Sequence, residues 1–334
     1  MPNTSVLIIG CGSIGERHLR CFLKTGRARV TACDTNAALL QKMADTYAVP
    51  VTPDWRQALA ARPDAAVICT PAPFHVEIAT AAMEQGVHVL IEKPLSQSLV
   101  GVDEMIATRD RQKRHASVAY VLHVYPMLGA ARDFLRRGEF GPVRQASVVT
   151  GQSFPFFRPA YAQTYYRDRK LGGGAIQDAL THSVNWVESI LGPSESVLCD
   201  CAHLVLPGVE VEDTVHASIR HAQALSNFAM NQFQAPNETT FQFNAAGGSV
   251  KVEVHNHRWG TFASGAPGWT WHEVAPLDRD GPFTLQANAF LDQLEGQPSR
   301  LCTLEAGAAT LRFNLSALAS ADSGRRVACA LTHA

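Results

Sequence analysis

The chain has 334 residues, 46% of them apolar, and its 29 basic and 30 acidic side chains leave a net charge of -1. That length and composition suggest two globular domains and exclude a disordered or coiled-coil protein. With no basic field to attract them, neither nucleic acid nor an anionic membrane is an expected partner.

The first 120 residues alternate strand and helix patterns. Residues 5–9, 29–33, 65–69, 87–91 and 116–120 read as short apolar strands, and residues 14–24, 36–47, 74–85 and 99–113 have helical spacing. Gly86 ends the third of those helices as a favoured C-cap residue. Strands apolar on both faces and separated by helices predict a parallel sheet covered on both sides. Right-handed crossovers make that sheet doubly wound. The opening residues carry no charged leader region, and their apolar run is only strand-length, so neither a signal peptide nor a membrane span is expected. The eight cysteines, at 11, 21, 33, 69, 199, 201, 302 and 329, are too scattered for a disulfide framework and suit a reducing cytoplasm.

After Tyr125 and Pro126 the pattern changes. One helix covers 128–137 and ends at Gly138, and another begins near Gly174. Alternating stretches at 143–150, 196–206, 214–220, 223–232, 239–244 and 249–255 predict an α+β region with a largely antiparallel sheet, and 244–249 suits a hairpin turn. Residues 283–294 and 304–321 look helical and are free to pack back on the first domain.

Gly10-Cys11-Gly12-Ser13-Ile14-Gly15 follows the first strand and opens the first helix. Two of its glycines let backbone amides approach a pyrophosphate, the third lets helix and strand pack closely, and the helix N-terminus faces the negative charge. Asp34 ends the second strand, nineteen residues beyond Gly15, where its carboxylate can accept from both hydroxyls of an adenosine ribose and would repel a 2′-phosphate. No Arg or Lys follows at 35–37 to hold such a phosphate. A Rossmann domain with NAD preferred over NADP is therefore expected, contacted by Gly10, Gly12, Ser13, Ile14, Gly15 and Asp34.

Thr70, Pro71 and His75 follow the third clear strand, and Glu92, Lys93 and Pro94 follow the fourth, at the edge where a doubly wound sheet opens toward its ligand. Lys93 offers a cationic donor near a nicotinamide. Farther on, Gly172-Gly173-Gly174 leads into a helix carrying Asp178 and His182 four residues apart, on one face. A carboxylate beside an imidazole orients it and raises its basicity, and oxidation of an alcohol by hydride transfer needs such a base.

The segments GCGSIG, TPAPFH, GVHVLIEKP and GGGAIQDALTH, in this order and spacing, together resemble the glucose–fructose oxidoreductase/inositol dehydrogenase/rhizopine catabolism (Gfo/Idh/MocA) family over essentially the whole chain. The resemblance implies a C-terminal domain with a large open sheet, often used to form dimers or tetramers. It also implies NAD or NADP as cofactor and a sugar, cyclitol or derivative as substrate. By the same resemblance Lys93 contacts the reacting oxygen, Asp178 and His182 are the family's Asp and proton-transferring His, and His75 lies beside the cofactor. Where family members often have Arg or Asn after the last Rossmann strand, this chain has His123, which is expected to reach the substrate pocket. Tyr165, Tyr166, Arg167 and Arg169 are either substrate contacts or a loop at a subunit surface.

The expected organisation is thus a dinucleotide-binding Rossmann domain over 1–122 and a substrate-binding and oligomerisation domain over 123–334. The expected activity is hydride transfer between NAD(P) and a secondary alcohol or ketone. A glycoside hydrolase working by transient oxidation and elimination, or a non-catalytic dinucleotide sensor, are the alternatives. The apolar alternation in 214–232 reads as a face that needs a partner, which favours a homodimer or homotetramer. Cys199, Cys201 and His203 alternate but offer three ligands without a CxxC pair, so no metal site is expected. His88 reads as a core histidine, and His255, His257 and Trp259 as a sheet face or interface.

Overall fold

The first apolar run forms β1 (Thr4–Ile9), an inner strand of a seven-stranded sheet, in the computed structural model, which describes residues 4–329. It is followed by α1 (Ser13–Lys24), β2 (Ala28–Cys33), α2 (Ala37–Tyr47), β3 (Val51–Thr52), α3 (Trp55–Ala60), β4 (Ala65–Ile68), α4 (His75–Glu84), β5 (His88–Ile91), α5 (Val102–Gln112) and β6 (Ala116–Val118). The strands lie in the order β6-β5-β4-β1-β2-β3 and pair in parallel. The chain therefore reverses its direction across the sheet between β1 and β4, the position at which such sheets bind ligands. Val6 to Ile9, Ala65 to Ile68 and Val89 to Ile91 are buried, which explains runs without alternation. The short β3 and α3 have no period to betray them in the sequence; α3 starts where the Asp54 side chain accepts from the Arg56 amide at 2.8 Å.

The second part begins with α6 (Pro126–Arg137), β7 (Val143–Gly151), α7 (Phe154–Phe157), α8 (Thr181–Leu191) and β8 (Ser196–Ala202). It continues with β9 (Thr214–Arg220), β10 (Leu225–Asn231), β11 (Glu238–Ala245), β12 (Gly248–Glu253), β13 (Arg258–Ala263) and β14 (Thr270–Glu273). The closing elements are α9 (Gly281–Leu294), β15 (Cys302–Thr303), α10 (Leu304–Ser323) and β16 (Val327–Ala328). A nine-stranded sheet runs β14-β13-β12-β11-β7-β10-β9-β8-β16, antiparallel except where β7 and β10 pair in parallel.

Among the described residues, contacts group 4–124 with 277–308, and 125–276 with 309–329. The segment 277–308 thus belongs with the first unit, not with the rest of 123–334. In that unit β15 pairs with β6, Phe290 of α9 meets Phe22 of α1 edge-on at 6.4 Å, and Asp280 takes two hydrogen bonds from Arg20 at 2.6 and 2.7 Å.

Two sequence expectations for the second unit are corrected. The strand read over 196–206 ends at Ala202, because the buried carboxylate of Asp213 accepts from the amides of Leu204, Val205 and Leu206 and pulls that stretch into a loop. The apolar residues of 214–232 that were read as needing a partner, Val215, Ala217, Ile219, Phe228 and Met230, are already buried, while His216, Ser218, Arg220 and Asn227 alternate with them and are exposed. Among the described residues no helix is long and apolar enough to cross a membrane.

Within the second unit, buried Glu188 of α8 accepts from the amide and hydroxyl of Ser194 at 3.0 and 2.7 Å and from Thr310 Oγ1 at 2.5 Å, and Asn185 donates to Thr310 at 2.9 Å. Burial raises the Glu188 pKa despite these donors. A carboxyl whose folded pKa exceeds its unfolded one contributes most below the unfolded pKa and loses that contribution as pH rises through the folded pKa. Glu188→Gln does not titrate, so its stability relative to wild type is expected to improve as pH rises above the ordinary carboxyl pKa of about 4 in urea denaturation. A constant or falling difference would overturn this assignment.

Candidate active site

The site begins with the loop between β1 and α1. Gly10 has φ +94°, and a Cβ there would lie 2.7 Å from the Cys69 carbonyl; a Cβ on Gly15 would run into the Gly10 carbonyl. Close backbone approach dictates both glycines. Gly12 is different: its φ is -64°, and a Cβ would meet nothing within 4 Å. Nothing in the chain requires glycine there, and the open space lies at the first amides of α1, where a dinucleotide pyrophosphate fits. Just beyond β4, Thr70 Oγ1 is buried and has no partner among the described residues, a further polar group at this edge.

Asp34, one residue past β2, braces the same loop. Its Oδ2 accepts from the Cys11 amide at 2.6 Å and its Oδ1 from the Asn36 amide at 2.8 Å. Each oxygen keeps further acceptor capacity, so the carboxylate can also receive ribose hydroxyls. Burial, reinforced by the Asp34 charge, pushes the Cys11 thiol up to about 12, so Cys11 is a packing residue rather than a nucleophile.

Past β4 and β5 two short segments are joined. Buried His75 places Nε2 at 2.8 Å from Thr70 O and Nδ1 at 3.1 Å from Pro94 O, and burial lowers its pKa. Glu92 Oε2 accepts the Lys93 amide at 2.9 Å, while Oε1 lies 2.7 Å from Nε2 of fully buried His18. The Lys93 side chain is half-buried. His123 is buried in the turn Val121–Val124 that follows β6. The glycine loop, Asp34, Thr70, Pro71, Glu92, Lys93 and His123 therefore all stand just past the carboxyl ends of parallel strands. His88, by contrast, accepts the His115 amide at 2.8 Å, and burial lowers its pKa to about 4.

In the second unit the glycine run meets a buried carboxylate at Gly174. A Cβ on Gly174, whose φ is +88°, would collide with the Glu212 side chain, and one on Gly173 with the Tyr166 carbonyl. Glu212 accepts from the Ile176 amide at 3.1 Å and from Arg169 Nε at 2.9 Å, so it anchors the start of the helix. The chain then makes a π-helical turn, Ile176–Leu180, before α8. Such turns re-aim side chains and are frequent at functional sites. Buried Asp178 lies on that turn, its Oδ2 at 2.6 Å from Arg158 Nη1 and its Oδ1 accepting from the Tyr165 hydroxyl at 2.6 Å. His182, half-buried, stands four residues later in the first turn of α8.

The loop residues singled out from the sequence separate. Tyr165 reaches Asp178 and Arg167 is exposed, whereas Arg169 is engaged by Glu212. Tyr166 is buried, with its hydroxyl donating to Gln232 Oε1, and burial raises its pKa. His18, Arg158 and Glu212 were not anticipated. His18 shares the inward spacing of Leu19 and Phe22 and reads as core, and the other two lie outside any motif. His203 bonds the Leu206 carbonyl at 2.6 Å beyond the end of β8, and burial pushes the Cys199 and Cys201 thiols up to about 12 and about 11.

A doubly wound sheet with this glycine loop and aspartate, followed by a large antiparallel sheet, defines a two-domain Rossmann-type oxidoreductase. Residues 4–120 match the profile of an oxidoreductase family with an NAD-binding Rossmann fold, and residues 129–256 match the GFO/IDH/MocA C-terminal domain. The chain belongs to the Gfo/Idh/MocA family. It is 25% identical over 303 residues to levoglucosan dehydrogenase of Pseudarthrobacter phenanthrenivorans, a match covering 75% of this chain and 73% of that protein. It is 30% identical over 182 residues to 1-carboxy-3-chloro-3,4-dihydroxycyclohexa-1,5-diene dehydrogenase of Comamonas testosteroni, covering 53% of this chain but only 45% of that relative. A solved levoglucosan dehydrogenase in complex with NADH and levoglucosan superposes with a TM-score of 0.86 at 20% identity, covering 98% of this chain and 99% of the other. At that identity the likeness speaks for the fold.

The unequal glycines yield a prediction. Gly15→Ala should destabilise the protein by about 1–3 kcal/mol through overpacking. Gly12→Val should melt close to wild type yet lose dinucleotide affinity, measured by thermal denaturation and NADH fluorescence. A folded Gly12→Val variant that binds NADH normally would show that the space at Gly12 is not the pyrophosphate site.

Proposed function

We propose that this chain oxidises, or in reverse forms, a secondary alcohol of a sugar, cyclitol or sugar derivative with NAD. The observation that carries this reading is the buried Asp178 carboxylate, held by Arg158 and Tyr165 four residues before His182. A dinucleotide sensor has no need for a carboxylate held by two donors in the same helical segment as a histidine. Family membership and the activities of the relatives, including levoglucosan dehydrogenase, support the same reading.

When bound, NAD supplies the hydride acceptor. Gly12, Ser13, Ile14 and Gly15 offer the amides for its pyrophosphate, Gly10, whose own amide donates to the Cys33 carbonyl, lets the loop come close to it, Asp34 accepts from the adenosine ribose, and Thr70 and Pro71 flank the dinucleotide. His75 acts through the segments it joins. Lys93 hydrogen-bonds the reacting oxygen and stabilises its developing negative charge. His182 takes the hydroxyl proton, with Asp178 orienting it, and His123, Tyr165 and Arg167 contact the remaining hydroxyls. A homodimer or homotetramer is the proposed assembly and rests on the family resemblance alone, since the apolar set in 214–232 is covered within its own unit, and the cytoplasm is the proposed compartment on the strength of the scattered cysteines.

Purified protein screened against polyols, aldoses and amino-sugars, with nicotinamide absorbance followed, tests the activity. Accumulating NADH supports a dehydrogenase; glycoside cleavage without it supports the oxidation–elimination alternative. NADH should bind more tightly than NADPH in fluorescence titrations, and Asp34→Ser should narrow the gap; equal affinities in the wild type would remove the argument from Asp34. His182→Ala should lower turnover by about 10²–10⁴-fold and keep NADH binding. If that variant retains wild-type turnover and pH–rate profile, His182 is not the base.

A further inference from the structure

Lys93 stands between two neighbours, each clamped by a buried histidine of the first unit. On one side Pro94 O lies 3.1 Å from His75 Nδ1. On the other, Glu92 accepts the Lys93 amide at 2.9 Å through one oxygen and lies 2.7 Å from His18 Nε2 through the other. His18 sits in the second turn of α1 and is wholly buried, and Phe283 packs edge-on against its ring at 5.7 Å. Its Nδ1 is buried with no partner among the described residues. A proton there would have no acceptor, so the proton sits on Nε2 and is donated to Glu92. A carboxylate buried this deeply is costly unless donors hold it, so its orientation follows theirs.

We propose that His18 is a positioning residue of the dehydrogenase. By holding Glu92 it fixes the main chain of Lys93 relative to α1, the helix whose N-terminus receives the dinucleotide phosphates. Cofactor and reacting-oxygen donor then share one rigid frame. This inference rests on the roles given above to Lys93 and the glycine loop. It differs from a packing role, in which any apolar side chain of similar size would serve.

The experiment compares His18→Leu, His18→Gln, Glu92→Gln and the double variant H18L/E92Q by kcat, KM and NADH affinity, with ¹⁵N NMR of the His18 ring in the wild type. A small misplacement of a catalytic group can cost about 10²-fold, so His18→Leu should lower kcat by about 10–100-fold with little change in KM. His18→Gln, whose amide can reach the same oxygen, should recover most of that loss. The double variant should fall no further than the worse single one, because both break one contact. The NMR spectrum should report a proton on Nε2 alone, with and without NADH. Wild-type kcat in folded His18→Leu, independent effects in the double variant, or a proton on Nδ1 would overturn the proposal. If His18→Leu does not fold, a His18→Gln variant with much-reduced kcat or an Nδ1-protonated ring would do so. Failure of the wild type to bind NADH would instead overturn the functional reading, and this inference with it.

Discussion

The loop from β1 into α1 closes on the backbone of Cys69 only because Gly10 lacks a Cβ, and α1 closes on Gly10 only because Gly15 lacks one; much of the first unit's geometry follows from these contacts. It sets where α1 begins and brings the helix down on the sheet at the point where strand order reverses. From there Asp34 reaches the Cys11 amide, and His18 reaches Glu92 at the end of β5. A side chain at either glycine would lift the helix and disturb the loop and the Lys93 segment together. Backbone contact is a harder constraint than side-chain packing here, because no rotamer change relieves it.

The second unit is organised around a different device, a buried carboxylate. Glu212 satisfies an amide at the start of the helical segment and pairs with Arg169, and Gly174 lets the chain pass close to it. The π-helical turn that follows carries Asp178, whose two oxygens are already directed by Arg158 and Tyr165. The acid is thus oriented by partners within its own unit. Unpaired buried charges are expensive, which is why each of these two carboxylates sits within a set of donors.

The parallel sheet was legible because burial on both faces writes strands as unbroken apolar runs, and the glycine loop because its spacing has a physical cause at each position. The four-residue interval from Asp178 to His182 reads as a regular α-turn, and nothing local in the sequence marks the π-helical turn that carries Asp178. The sequence was less informative where tertiary contacts override local pattern. The stretch 203–206 has the look of a strand, yet Asp213, distant by several residues, takes its amides. The helical spacing of 283–294 and 304–321 leaves open which unit each segment joins. Arg158 and Glu212 sit in irregular segments, and His18 is disguised by a helical period that also serves packing. The alternation in 214–232 was real, but alternation alone does not say which layer covers the apolar face.

All eight cysteines are free thiols, and seven are buried: Cys11, Cys21, Cys33, Cys69, Cys199, Cys302 and Cys329. They are spread over the glycine loop, α1, the ends of β2 and β4, β8, β15 and the end of the described chain. Where burial excludes a reagent, the rate of alkylation reports how often the surrounding structure opens. Each buried thiol is therefore a clock for its own neighbourhood, and the chain carries, without any label being introduced, a set of recorders in both units that separates local breathing from global unfolding.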